Sequence, residues 1–282
     1  FFHLQTFRPN QEAIIQSVVS GHDVLAIMAT GGGKSLCYQL PALMLSGMTV
    51  VISPLIALMK DQVDVLEKRR QIGEAAYINS MLSPVERKDA IEKVRSGEKS
   101  ILYISPESLR SNTIFNLLME RRVERIVVDE AHCFSSWGHD FRVDYLYLAE
   151  FLRDLQKEKN LENPIPISCF TATAKKSVVE DICSYFKERL DINLVQFISP
   201  AKRLNLTYKV VESSESKNER CKQLINLLRE YAGPKIIYAS KVKTTESLAE
   251  ELYNRGFASA CYNGKMESEK KMVIQDQFQN EE

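Results

Sequence analysis

Val24-Leu25-Ala26-Ile27-Met28-Ala29-Thr30-Gly31-Gly32-Gly33-Lys34-Ser35 is the stretch that decides the fold. Its first five residues are continuously apolar, as in a strand buried on both faces. Three glycines follow, then Lys34, Ser35 and a helical spacing of Leu36, Leu40 and Leu43. Strand, glycine turn and helix in that order form the context of a phosphate-binding loop. Glycines let backbone N–H groups turn inward around phosphate oxygens, and a helix N-terminus adds positive potential. Thr30, Gly31, Gly32, Gly33, Lys34 and Ser35 are therefore the candidate phosphate contacts. Lys34 would reach the β- and γ-phosphates, and the Ser35 hydroxyl would ligate Mg²⁺. Met28 stands where the general pattern has its first glycine. Pro41, inside the following helix, predicts a kink or an early end.

Similar apolar runs recur at 49–52, 101–104, 126–128 and 167–170, with helical patterns between them. After Ser53, a candidate N-cap with Pro54 in the first turn, come Leu55, Leu58, Met59, Val63 and Leu66 at helical spacing. Lys68-Arg69-Arg70 suit the end of that helix. Ser83-Pro84-Val85-Glu86 has the spacing of a capping box. The alternation predicts an α/β domain built on a doubly wound parallel sheet. A polar stretch at 212–219 interrupts it, and a strand–helix–strand pattern follows at 235–239, 244–255 and 258–262. We place the boundary near residue 205. This gives a domain over 1–205 and a second over 206–282 that is short for a sheet domain.

Ile126-Val127-Val128 leads into Asp129-Glu130-Ala131-His132. A carboxylate at the end of a buried parallel strand lies beside the phosphate loop in such sheets. Asp129 is the candidate Mg²⁺ ligand with Ser35, and Glu130 the candidate group to orient or deprotonate an attacking water. Seven residues beyond Glu130 begins Trp137-Gly138-His139-Asp140-Phe141-Arg142. Trp137 and Phe141 offer ring faces for unpaired bases and Arg142 a phosphate contact or stacking cation; the same aromatics could equally fill a core.

These motifs resemble those of the superfamily-2 helicases, and specifically the RecQ family of DNA helicases, over nearly the whole chain. Phe7-Arg8-Pro9-Asn10-Gln11 is similar to the family's adenine-recognition segment, which implies nucleotide-binding roles for Arg8 and Gln11. Residues 53–62 and Tyr103-Ile104-Ser105-Pro106-Glu107 resemble its first two DNA-contacting motifs. Residues 129–132 resemble its acidic box, with His132 among the catalytic residues. Phe170-Thr171-Ala172-Thr173-Ala174 resembles the motif linking hydrolysis to DNA movement. Residues 136–142 resemble the family's aromatic-rich loop, which implies that Trp137, His139, Phe141 and Arg142 bind DNA; Val143 stands where the family usually has proline. The resemblance implies two RecA-like domains, the second partial. It further implies ATP and Mg²⁺ as cofactors, single-stranded and partly duplex DNA as partners, and 3′→5′ movement coupled to ATP hydrolysis in DNA repair or recombination. Tyr262-Asn263-Gly264 replaces the family's His-Ala-Gly turn, and the family's last two motifs, with their arginine finger, are not present in residues 1–282. The expectation is a truncated motor that binds ATP weakly and does not unwind DNA by itself. An RNA helicase is the first alternative, opposed by residues 7–11 and the aromatic loop; a non-catalytic, ATP-gated clamp is the second.

Composition agrees with a globular protein. The 282 residues hold 37 Lys+Arg against 37 Asp+Glu, with 44% hydrophobic and 26% charged residues, which excludes disorder, collagen and a disulfide scaffold. Zero net charge leaves a nucleic-acid partner open, since a local basic surface suffices. No apolar run approaches the ~18 residues of a membrane span, and no membrane partner is expected. The start, Phe1-Phe2-His3-Leu4-Gln5, has neither an initiator Met nor the form of a signal peptide. Six scattered cysteines form no Cys-x-x-Cys pair. They suit a reducing compartment, the bacterial cytoplasm and nucleoid or a eukaryotic nucleus. The sequence names no protein partner.

Overall fold

The computed structural model describes residues 2, 4–135, 143–172, 175–199, 205–214 and 216–280. The chain divides into two compact units, Phe1–Leu206 and Thr207–Glu282. In the first, α1 (Gln11–Val19), β1 (Val24–Ile27), α2 (Lys34–Met44), β2 (Met48–Ile52), α3 (Ile56–Asp64) and β3 (Ala75–Ile78) come in turn. Then follow α4 (Pro84–Ser96), β4 (Ile101–Ile104), α5 (Asn112–Glu120), β5 (Val123–Val128), α6 (Val143–Leu146) and α7 (Leu148–Glu158). β6 (Ile167–Thr171), α8 (Lys176–Leu190) and β7 (Val195–Ile198) complete it.

The seven strands form one sheet in the order β3-β4-β2-β5-β6-β1-β7. Every pairing is parallel. The continuous apolar strands serve both faces, because successive side chains alternate. Val24, Ala26 and Met28 face a core with Ile14 of α1, Tyr38 of α2 and Met59 of α3. Leu25 and Ile27 face the other core, with Leu117 of α5, Leu152 of α7 and Ile182 of α8. This is the doubly wound α/β sheet expected from the sequence.

Local signals meet different fates. The capping box at α4 is complete, since Ser83 Oγ accepts the Glu86 N–H at 3.3 Å and Glu86 Oε2 accepts the Ser83 N–H at 2.8 Å. Ser53 is not the N-cap expected. Its N–H donates to Ile104 O at 3.0 Å, so it continues the sheet, and α3 starts at Ile56 after Leu55. α3 then passes into a π-helical turn, Val65–Arg69. Pro41 does not end α2, which runs three residues further. The buried face of α2 is broader than its leucines suggested, taking in Cys37, Tyr38, Gln39 and Ala42.

The second unit has helices α9 (Lys217–Glu230), α10 (Val242–Asn254) and α11 (Ser268–Gln279). The strands expected at 235–239 and 258–262 are absent among its described residues. Exposure still alternates along 236–239, with Ile236 and Tyr238 outward. The chain there is extended, but a strand also needs a neighbouring ladder, and these runs have none.

Arg125 holds the amino-terminal edge of the first unit's sheet together. It is buried on β5, and its guanidinium donates to Val18 O at 2.6 Å, His22 O at 3.0 Å and Ser168 Oγ at 2.8 Å. Burial lowers its pKa to about 10, opposed by the charges of Asp23 and Glu124. Arg125→Ala should strand these acceptors and cost about 3–5 kcal/mol, as when one partner leaves a buried charged network. Chemical denaturation measures it; a loss near the ~0.5 kcal/mol of a surface substitution would contradict this role.

Candidate nucleotide site

A parallel sheet brings the carboxyl ends of its strands to one edge, where ligands of open α/β folds bind. Backbone bonds lace that edge together: Met28 N to Thr171 O at 3.0 Å, Asp129 N to Ile52 O at 2.9 Å, and Ser53 N to Ile104 O at 3.0 Å. The glycine loop leaves β1 here. Gly32 N donates to Ala29 O at 2.8 Å, and Gly31 and Gly33 have φ of 76° and 86°, the left-handed region that favours glycine. Lys34 then opens α2.

Residues 8–11 clasp the loop from outside. Arg8 Nη1 donates to Gly31 O. Gln11, buried at the start of α1, donates from Nε2 to Gly33 O at 3.1 Å and accepts the Arg8 N–H at 2.8 Å through Oε1. A side chain on Gly33 would collide with that amide. Gln11 is thus turned onto the loop rather than outward. Beside it, Phe7, Arg8, Pro9, Asn10, Glu12, Ala13 and Gln16 line an open cavity of about 660 Å³, with Phe7 45% exposed. The sequence reading gave Phe7 no role of its own; an exposed aromatic just before the clasp was the available signal.

Asp129 is 6% exposed. Burial and the neighbouring Glu130 carboxylate push its pKa up to about 6, against the Glu130 N–H at 3.0 Å and the charges of Lys34 and His132. Glu130 has a left-handed backbone, φ 50°. Its carboxyl is held below the usual range by His132 and the Lys34 charge. His132 Nδ1 lies 3.2 Å from Glu130 Oε2 and 3.1 Å from Thr171 Oγ1. The Cys133 sulfur and the Glu130 carboxylate push the imidazolium up to about 10. His132 thus links the acidic segment to the end of β6 through one ring nitrogen. Sequence reasoning missed Tyr145, whose buried hydroxyl donates to Asp129 O at 2.9 Å. Trp137, His139, Phe141 and Arg142 lie outside the described residues, as do Thr173 and Ala174.

A glycine loop leading into a helix, with a lysine near two carboxylates at the same sheet edge, defines a P-loop nucleotide-binding domain. Residues 8–182 match the DEAD/DEAH box helicase family model, and the chain belongs to that family. It is 38% identical, over 99% of its length and 53% of the relative's, to a protein of Bacillus subtilis named probable ATP-dependent DNA helicase RecS. It is 38% identical to the ATP-dependent DNA helicase RecQ of Haemophilus influenzae over 99% of its own length and 43% of that protein's. The RecQ likeness read from the motifs thus extends across the chain, which spans about half the length of these relatives. The fold is similar to that of the helicase Lhr of Mycobacterium smegmatis, solved bound to single-stranded DNA and AMP-PNP. The TM-score is 0.71 at 18% identity, over 97% of this chain and 38% of that one.

The raised pKa of Asp129 has a sign that can be checked. A carboxyl whose folded pKa lies above its unfolded value near 3.9 contributes favourably below that value and loses the contribution as pH rises through about 6. Asp129→Asn should stabilise the ligand-free protein in chelator above pH 6, by roughly 1 kcal/mol or more, since one unit is about 1.4 kcal/mol. The gain should fade toward pH 4. Thermal melting across this range tests it, and a pH-independent effect would contradict the desolvated carboxylate.

Proposed function

We propose that this chain is the motor region of a RecQ-type ATP-dependent DNA helicase, moving 3′→5′ on single-stranded DNA, in DNA repair or recombination. The observation that carries this reading is one sheet edge holding the loop of Lys34 and Ser35 beside Asp129 and Glu130. Names of the relatives support the choice of DNA.

The residues fit ATP and Mg²⁺. Thr30, Gly31, Gly32, Gly33 and Lys34 would hold the phosphates, with the backbone N–H groups and the α2 N-terminus supplying positive potential. Ser35 and Asp129 offer the hard oxygen donors that Mg²⁺ prefers. A carboxylate already strained by desolvation gains more from a cation than a solvated one does. Bound there, Mg²⁺ would neutralise charge on the phosphoryl group. Glu130 would orient the attacking water, and His132 would hold Glu130 against Thr171. Gln11 would read adenine by swinging an amide edge from the loop, and Phe7 would stack on the base, with Arg8 bracing the loop.

For DNA we propose Trp137, His139, Phe141 and Arg142 as the stacking and phosphate-binding group, acting on single-stranded and partly duplex DNA. Tyr145 ties the chain just beyond them to Asp129, so strain in that segment would reach the site. The compartment we propose is the bacterial cytoplasm and nucleoid, or the nucleus of a eukaryote.

In the full-length protein, Lys34→Ala should abolish hydrolysis and weaken nucleotide binding, because charge stabilisation dominates phosphoryl transfer. Glu130→Gln should keep binding while turnover falls by about 10²-fold or more, the ordinary yield of a positioned acid–base group. Equal loss of binding in both variants would remove Glu130 from its role. Competition between single-stranded DNA and RNA for ATPase stimulation decides the substrate, and preference for RNA would overturn the DNA reading.

A further inference from the structure

Three elements meet at the buried amide of Gln39. This residue lies on α2, four positions after Ser35, and is 5% exposed. Its Nε2 donates to Gln62 Oε1 on α3 at 3.0 Å and to Tyr103 Oη on β4 at 2.8 Å. A primary amide carries two N–H groups, so both are engaged. The preceding residue, Tyr38, packs edge-on against Phe170 of β6 with ring centroids 5.3 Å apart. The helix that begins in the phosphate loop therefore grips α3, β4 and β6 through two adjacent side chains.

All three grips lie in segments that reach the carboxyl edge of the sheet. Gln62 belongs to the helix entered from β2 through Ser53, and Tyr103 stands one residue before the end of β4. Phe170 stands next to Thr171, which meets His132. Apolar side chains of the same volume would fill this space at equal or better stability. Hydrogen bonds add direction: they permit one placement of α2 against α3 and β4 and penalise others. α3 can also yield, because its α-helical turns give way at Val65 to a π-helical turn, a common mark of functional adjustment in helices.

We infer that Gln39 is a positioning residue that couples the phosphate loop to the segments after β2 and β4, which resemble DNA-contacting motifs. The inference rests on the motor reading above. A shift of α2 when the loop closes on nucleotide is passed to α3 and β4 through Nε2. Occupancy of those segments by single-stranded DNA returns to the loop by the same bonds, because coupling between two binding sites is reciprocal.

The test uses the full-length protein, oligothymidylate as the DNA, and two readouts: thermal melting and the ratio of DNA-stimulated to DNA-free kcat. Gln39→Leu leaves the Gln62 carbonyl and the Tyr103 hydroxyl without their donor, so it can misfold. Tyr103→Phe deletes one hydroxyl and leaves one Gln39 N–H unpaired while the bond to Gln62 stays. The triple variant Gln39→Leu, Gln62→Leu, Tyr103→Phe replaces the Gln39 amide together with both of its acceptors. The triple variant should melt near the parent and Tyr103→Phe somewhat below it, both with the stimulation ratio reduced about fivefold or more, the lower end of ordinary coupling. A triple variant that melts like the parent and is stimulated like it would show the network to be packing alone and overturn the inference. A parent that DNA does not stimulate would overturn the motor reading itself, and the inference with it.

Discussion

Parallel pairing is the constraint from which the site follows. Strands running one way must all exit at one edge, and the order β5-β6-β1 puts the exits of Val128, Thr171 and Ile27 side by side. Register does the rest. Ile126, Val127 and Val128 pair with Val50, Val51 and Ile52 of β2, so Asp129 emerges where its N–H meets Ile52 O. A slip of one residue would turn every side chain of β5 to the opposite face and carry the carboxylate away from Lys34. The chemistry at the edge is a consequence of ladders several residues below it.

β5 and its exit also carry two buried charges with opposite logic. At the amino-terminal edge, Arg125 is matched by carbonyls and a hydroxyl fixed by the fold. Burial lowers its pKa only to about 10, so it stays charged. At the carboxyl edge, Asp129 is raised to about 6 by burial and by Glu130. Desolvation works against both charges, but Arg125 has three acceptors of the fold on its two terminal nitrogens, whereas Asp129 has a like charge beside it. Structural charges are balanced in this way because an unmatched one costs several kcal/mol. Charges held with perturbed pKa in a cleft are the ones that mark function.

What the sequence discloses depends on how local the interaction is. β1, β2, β4, β5 and β6 are readable because both faces are buried and the runs are continuously apolar. β3 and β7 are edge strands, paired on one side, and their Ala75-Ala76-Tyr77-Ile78 and Val195-Gln196-Phe197-Ile198 lack that mark. The Ser83 capping box is readable because partner and cap are three residues apart. Ser53 misleads because a partner 51 positions away in the chain, Ile104, claims its N–H first. The glycine loop and acidic segment are contiguous motifs and stand out at once. Arg125 and Gln39 do not, because Val18 lies 107 residues from Arg125 and Tyr103 lies 64 residues from Gln39. The runs at 235–239 and 258–262 are legible as extended chain, but pairing is a property of their neighbours.

Many of the links around the phosphate loop and along this edge are polar, and that choice has a physical reason. Gln11 to Gly33, His132 to Glu130 and Thr171, Tyr145 to Asp129 and Gln39 to Gln62 and Tyr103 are all hydrogen bonds or ion pairs of 2.8–3.2 Å. Apolar contacts between helix and sheet tolerate small slides, since dispersion falls gradually and no single atom pair decides it. A hydrogen bond weakens steeply with angle, so its geometry has few intermediate states. On the proposed motor function, a domain that switches between arrangements as nucleotide binds and leaves needs contacts that are either made or broken. An apolar body of two cores supplies the stability; a thin polar layer at one edge supplies the discreteness.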